Sequence, residues 1–543
     1  MKNTHILYGL LVLFFLSFAC INGNKNNRKE KNKKEITVTV DSTITRATAF
    51  NDLFLDSIKI QKFLDKHSEY IIYQSQYFDF YKQRNYEYAW FDTSGISEQA
   101  GNFMNLLNTT IIESNDSSLY NKKLTTLYSS FVSDSTMHEE VSPLQTELYL
   151  TGQFFTYVLR VYNNKEVNAT ELGWFIPKKK VDFTKLLDSV IIARGKAEDR
   201  YLPLNKQYKL LQEALAKYYK IQKNNSWDSI AEPKRKYKPG DSSIAIAQIK
   251  QRLFILGDMP QQDTTKQYDT TLTEAVRSFQ HRMGLKENGI INTGTMKELN
   301  YPINKRIKQI LINLERVRWM PAESDSHYIL INIPEFKLYV YDNGQLQFDM
   351  NVIVGKEGTS TVIFTTNLKY IVFSPYWNVP SSIVKKEILH AIDSSANYLE
   401  EQNMEITGYN NDGEPVIRQK PGEKNSLGLI KFLFPNNFNI YLHDTPFKDL
   451  FSKQSRNFSH GCIRLEDATK MALYLLRDEP SYTYEKVDSL MHLDHEKWVA
   501  LKNPVRVSIT YFTVWVDSDG KLNFRKDIYD HDLDMANKLF VRG

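Results

Sequence analysis

Cysteine is nearly absent: the 543 residues contain two, Cys20 and Cys462. That rules out a disulfide framework, and no paired Cys-x-x-Cys or His-x-x-x-His supports a structural zinc site. No apolar run has the length of a membrane span; the longest, Ile6 to Phe18, is about a dozen residues against the ~20 a helix needs. Lys and Arg (69) barely exceed Asp and Glu (64), a net charge of +5 that gives no reason to expect nucleic acid as a partner. Asp517-Ser518-Asp519-Gly520 lacks the downstream Glu of a calcium loop and is expected to be a hairpin turn.

What is present centres on Tyr441 to Leu465, YLHDTPFKDLFSKQSRNFSHGCIRL. His443 follows the apolar, β-prone run Phe438 to Leu442, and a strand end is a rigid place to hold a base. After a polar connection comes Ser459-His460-Gly461-Cys462-Ile463-Arg464. A thiol becomes a good nucleophile when a neighbouring imidazole takes its proton and lowers its pKa. Gly461 allows a tight backbone approach where N–H groups can converge on a developing oxyanion. His443, His460 and Cys462 are also good zinc ligand types. The order His before Cys differs from papain-like and wall-amidase hydrolases, which place Cys first.

This stretch resembles the signature of the L,D-transpeptidase catalytic domain: a histidine, about fifteen residues, then Ser/Thr-His-Gly-Cys, an apolar residue, and Asn or Arg. Asn332 to Phe336, Pro375 to Pro380, Gln419-Lys420-Pro421-Gly422, Asn425 to Gly428 and Phe434-Pro435-Asn436 resemble segments of the family's large, scaffold-bearing envelope subgroup. The resemblance implies a peptidoglycan donor stem whose third residue is a diamino acid, meso-diaminopimelate, followed by D-alanine. Cys462 would attack the carbonyl between them, and His443 would protonate the departing amine. Gly461 and Cys462 N–H groups, with His460, would hold the oxyanion, and Ser459, Arg464, Tyr441 and Trp377 would line or bind the substrate. A backbone carbonyl near Asp444 would orient the imidazole, with the Asp444 side chain as competitor. No metal and no cofactor is implied. The same acyl-enzyme ending in water would make a carboxypeptidase or cross-link hydrolase, and an inactive wall-binding lipoprotein is the non-enzymatic alternative. Carbapenems are the implied inhibitor class.

The remaining chain reads as a multidomain α+β protein. Residues 1–20, with Lys2, the apolar run and Ala19-Cys20, resemble a lipoprotein signal with Cys20 as the lipidated residue, although Phe18 is bulkier than that pattern usually carries. That implies the periplasmic side of the envelope and membrane attachment through lipid. The basic run within 21–49 is expected to be a disordered tether. Residues 50–235 read as a helical scaffold domain: Phe54, Ile58, Ile60 and Phe63, then Tyr77, Phe80 and Tyr81, recur at helical spacing, and Leu148 to Val161 and Tyr208 to Tyr219 are further helices. Residues 236–300 resemble a three-helix peptidoglycan-binding module: the stripe Ile246, Ile249, Leu253, Leu256 ends at Gly257, and Thr271 to Glu274 fits a capping box. Residues 301–327 continue as a connecting helix. From Tyr328 the period switches to two, with Asp342-Asn343-Gly344 as hairpin turn, and 328–480 is the mainly antiparallel β catalytic domain. An insertion at 383–419 is expected to be a cap over the cleft. Residues 481–543 are expected to form a helix, Tyr484 to Leu501, and a hairpin completing the catalytic sheet. Peptidoglycan stems and glycan are the expected partners, with other cell-wall synthesis proteins.

Overall fold

A computed structural model of the chain describes residues 40, 44–45, 48–114, 117–132, 142–161, 206–231, 236–320 and 327–540. The signal-like stretch, Cys20 and the basic run lie outside them. Among the described residues no helix is long and apolar enough to cross a membrane.

Aromatic side chains at helical spacing build the first core. Helices α1 (Ser57–Lys66), α2 (Gln74–Gln83), α3 (Glu98–Ser114), α4 (Lys122–Val132) and α5 (Pro143–Val161) enclose Tyr77, Phe80, Tyr81, Trp90, Phe103 and Phe154. Asp56 caps α1 by accepting from Lys59 N, so Ile58 falls in the first turn. Ile58 therefore faces water, and only Ile60 and Phe63 of its stripe are buried. The Tyr86 to Phe91 connection is pinned by Glu147 of α5, whose carboxylate accepts from the N–H groups of Ala89 (2.7 Å) and Trp90 (2.9 Å).

A second core joins α6 (Lys206–Asn224) to α7 (Ile244–Leu256), α8 (Thr270–Arg282), α9 (Thr293–Leu299) and α10 (Ile303–Val317). Position in the chain assigns α6 to the scaffold, but its stripe of Tyr208, Leu211, Leu215 and Tyr218 is buried with the module instead. Gly257 ends α7 in the left-handed region as its sequence implies. Helix α8 starts earlier than a Thr271 box would place it, because Asp269 caps it by accepting from Leu272 N at 2.8 Å. Arg316 of α10 is buried between Glu98 of α3 and Asp532, at 2.6 Å and 2.5 Å, tying scaffold to C-terminal segment.

The alternating pattern after Tyr328 becomes a nine-stranded sheet. Its strands are β1 (Tyr328–Asn332), β2 (Lys337–Asp342), β3 (Gln345–Gly355), β4 (Phe364–Phe373), β8 (Ile430–Leu433), β9 (Leu442–His443), β10 (Asn457–Ser459), β11 (Ile463–Leu465) and β12 (Lys497–Thr510). The order is β10-β3-β11-β9-β8-β4-β12-β1-β2, and β2 also pairs with β3, so the sheet curls closed. Most pairs are antiparallel; β9–β11, β12–β1 and β10–β3 are parallel. Ile329, Ile331, Leu338, Val340, Leu442, Ile463, Val507 and Ile509 share one core with α11 (Ala468–Leu475) and α12 (Tyr484–Met491).

The insertion is a small subdomain. Strands β5 (Trp377–Asn378), β6 (Met404–Tyr409) and β7 (Pro415–Gln419) pair in the order β5-β7-β6, over a core of Val379, Val384, Ile388 and Ile417. The C-terminal segment departs from its sequence pattern twice. The helix expected through Leu501 ends at Met491, because Val499 and Leu501 are drawn into the sheet core as part of β12. The hairpin of β13 (Val514–Val516) and β14 (Leu522–Phe524) pairs only with itself and, with α13 (His531–Leu539), packs into the second core; it does not complete the catalytic sheet. Its turn is closed by Asp517, which accepts from the N–H groups of Asp519 and Lys521.

Candidate active site

Side chains alternate across a strand, so register decides which residues meet. His443 of β9 lies opposite Arg464 of β11 on one side and Lys431 of β8 on the other. Leu442 and Ile463 point into the core, and the Ile463 N–H donates to the Tyr441 carbonyl at 3.1 Å. Tyr441, His443, Lys431, Cys462 and Arg464 therefore share the opposite face. Thiol and imidazole are diagonal neighbours there, with backbones about 7–8 Å apart, a separation that side chains of this size span.

The imidazole is buried, 4% exposed. Its Nδ1 lies 2.5 Å from the Asp444 carbonyl, and the ring also meets the Leu427 carbonyl. Of the two candidates for orienting it, the backbone does so. The Asp444 carboxylate is occupied elsewhere, accepting from Leu429 N at 2.9 Å and Lys448 Nζ at 2.7 Å. Gly428 has φ +62, and a Cβ there would meet that carboxylate at 2.3 Å, so only glycine lets the two segments approach this closely. The motif-like stretches behind it have the same purpose: Asn425 accepts from Leu427 N and donates to the Pro375 and Lys420 carbonyls, fixing the loop that fixes Asp444.

Burial is the largest effect on both titrating groups. It lowers His443 to about 3, helped by the Arg464 and Lys431 cations, so the ring is a neutral base. It also raises the Cys462 thiol, against the pull of Tyr441, Arg464 and Lys431. The sequence leads one to expect a thiol lowered by its histidine. In the folded protein the sulfur instead meets the Tyr441 hydroxyl and backbone, with the Asn439 carbonyl at 3.6 Å. A raised thiol holds less thiolate at neutral pH. Its alkylation by iodoacetamide should thus keep accelerating beyond about pH 9, where an unperturbed thiol (pKa about 8.5) is levelling off. A plateau reached below about pH 8 would contradict this.

The remaining predicted residues divide. Gly461 takes φ +114, and its N–H donates to Ser459 Oγ at 3.1 Å. Ser459 is buried and donates to the Cys462 carbonyl at 2.5 Å, so it braces the loop and faces no cleft. His460 turns to the insertion, where Nε2 pairs with Glu387 at 2.9 Å, rather than to the thiol. Among the described residues no three His, Cys, Asp or Glu side chains converge to hold a metal. Arg464 lies with its guanidinium 6.0 Å from the Phe447 ring centre, its Nε buried and unpartnered. Trp377 meets the Tyr441 hydroxyl at the edge of the insertion.

Three contributors have no local signal. Lys431 sits in an ordinary strand and is revealed only by its register with His443. Thr361 donates to the Gly461 carbonyl at 2.9 Å and accepts from Gly355 N at 2.9 Å, and Tyr529 donates to the Gly355 carbonyl at 2.5 Å. Together they clamp the Cys462 loop from distant parts of the chain.

Residues 326–488, which hold His443, Cys462, Lys431 and Arg464, match the family description "L,D-transpeptidase catalytic domain". This part of the chain is an L,D-transpeptidase catalytic domain. Residues 75–215 match a "Scaffold domain", and 242–299 a "Putative peptidoglycan binding domain". A Haemophilus influenzae relative named "Putative L,D-transpeptidase" is 30% identical over 243 residues, 41% of this chain and 48% of the relative. The chain thus spans about half the length of the curated relative it matches. An L,D-transpeptidase structure from Stackebrandtia nassauensis aligns at 15% identity over 52% of this chain and 97% of its own, with TM-score 0.22. One from Xylanimonas cellulosilytica aligns at 15% identity over 52% and 100%, with TM-score 0.16. The domain assignment rests on the sequence matches; these superpositions add no argument.

Proposed function

We propose that the protein is a cell-envelope L,D-transpeptidase that carries the donor stem of peptidoglycan as a thioester on Cys462. The observation that supports this reading most directly is the shared face. A thiol, a neutral buried imidazole and two cations meet there, and no carboxylate among the described residues pairs with Arg464.

In this reading, substrate enters with the thiol protonated. Cys462 Sγ attacks the carbonyl between the stem's diamino acid and its terminal D-alanine, and the thiol proton passes to His443. The Asp444 and Leu427 carbonyls stabilise the imidazolium that forms. Arg464 and Lys431 favour the anionic intermediate beside them, and Arg464 receives a substrate carboxylate. The C–N bond then breaks, His443 returns the proton to the departing D-alanine amine, and a thioester remains. An acceptor amine attacks it, His443 takes that amine's proton, the C–S bond breaks, and the thiol is reprotonated. The oxyanion donors are Cys462 N–H and, once it leaves Ser459 Oγ, Gly461 N–H.

Incubating the full chain with disaccharide-tetrapeptide and resolving products by mass spectrometry tests this. A cross-linked dimer lacking one D-alanine is expected. Tripeptide alone would make the protein an L,D-carboxypeptidase, and unchanged substrate would leave a wall-binding protein without activity.

The same proposal places the protein at the periplasmic side of the envelope, held at the wall by residues 242–299 and at the membrane by lipid on Cys20. Cys20→Ser should move it from the membrane to the soluble fraction, since stable anchoring needs more than one acyl chain. Complete retention with membranes would remove Cys20 as the anchor.

A further inference from the structure

The row of residues that joins Arg464, His443 and Lys431 does not stop at Lys431. Lys431 lies opposite Val372 of β4, and Val372 lies opposite Trp498 of β12. Trp498 therefore stands on the catalytic face, three strands from His443. At the usual strand spacing this is about 14 Å. Its indole is 49% exposed and lies beside Tyr370, 38% exposed, with ring centres 5.9 Å apart and planes at 67°. Glu496 accepts from the indole N–H at 2.9 Å, which fixes the ring.

We propose that Tyr370 and Trp498 form the subsite for the sugar of the donor strand, resting on the transpeptidase reading above. A pyranose ring has an apolar C–H face edged by hydroxyls. An exposed aromatic pair with a polar handle, here Glu496, offers the complementary surface. The distance fits one occupant. The attacked carbonyl lies at Cys462, immediately before β11 and one strand beyond His443, so the span to Trp498 is four strand spacings, about 19 Å. Three extended stem residues reach about 10–11 Å of it, and the lactyl ether with the sugar ring itself covers most of the remainder. Between the two ends lies Lys431, half-buried, its ammonium 5.5 Å from the Tyr441 ring centre, where the stem's acidic second residue would pass. The track thus presents thiol, cation and aromatic platform in the order in which a stem presents carbonyl, carboxylate and sugar.

The test compares disaccharide-tetrapeptide with the same tetrapeptide lacking sugar. With the full chain, KM for the sugar-bearing donor should be about tenfold lower, and Trp498→Ala should bring that ratio to within about twofold of one. Tyr370→Ala should lower it by a smaller factor. A binding arm uses Cys462→Ala protein and the products, disaccharide-tripeptide and free tripeptide, followed by calorimetry with and without Trp498→Ala. If the unaltered chain turns over neither donor, the transpeptidase reading fails, and the binding arm still decides the subsite. Equal affinity for both ligands in the parent protein, or a sugar preference that survives Trp498→Ala, overturns the proposal. A pair that served only sheet stability would lower Tm and leave the preference intact, which also overturns it.

Discussion

Cys462→Ala is expected to abolish both D-alanine release and cross-link formation, with no measurable residual turnover. Cys462 is the one free thiol among the described residues. The nearest hydroxyl nucleophile in the same loop, Ser459 Oγ, is buried and committed to the Cys462 carbonyl and the Gly461 N–H. Removing the nucleophile of an acyl-transfer site costs on the order of a millionfold in kcat. The fold should tolerate the change. The side chain is small, and the loop is held by Thr361, Ser459 and backbone contacts that do not use sulfur. A stability change within about 1 kcal/mol is the corresponding expectation in thermal unfolding. Loss of activity with a retained melting transition is the result the thioester proposal requires. Near-normal turnover in the alanine variant would remove Cys462 from the chemistry.

Period-two alternation from Ile329 to Val340 marked one sheet face because burial on one side of a strand is a local property of sequence. The same holds for α7, whose stripe and Gly257 stop are both local. The candidate site was legible as a contiguous stretch, from His443 to Gly461, Cys462 and Arg464. What no local pattern carries is register. Lys431 reads as a lysine in a strand until its pairing with His443 is known, and Thr361, with Tyr529 behind it, meets the Cys462 loop only through the closed sheet. The same limit explains α6 and the β13–β14 hairpin. Each has an apolar face, and sequence shows that it must be buried but not against which core. His460 and Ser459 show a different limit: a motif fixes residue types near the chemistry but not which way each side chain turns.

His443→Ala should slow acylation of Cys462 by a strained lactam such as a carbapenem. The argument follows from the neutral state of both partners. Burial holds the thiol above its ordinary pKa and the imidazole down at about 3, so at pH 7 neither a thiolate nor an imidazolium stands ready. The thiol proton must then leave as the sulfur attacks, and in the proposed mechanism His443, its Nδ1 side held by the Asp444 carbonyl, is the base that takes it. General-base assistance of this kind contributes roughly a hundredfold to ten-thousandfold. The sign of the pH effect is also set. A ring lowered to about 3 stays unprotonated, and so competent as a base, throughout the neutral and mildly acidic range. Parent acylation should accordingly show no falling limb from His443 protonation between about pH 7 and pH 5, where a histidine of ordinary pKa near 6.5 would produce one. Intact-protein mass spectrometry at timed points gives the rates, and peptide mapping locates the adduct. Equal rates with and without His443, or an adduct on a serine, would show that thiol and imidazole do not work as a pair. A loss of rate centred near pH 6.5 in the parent protein would show that the ring is solvated and not buried in the working enzyme.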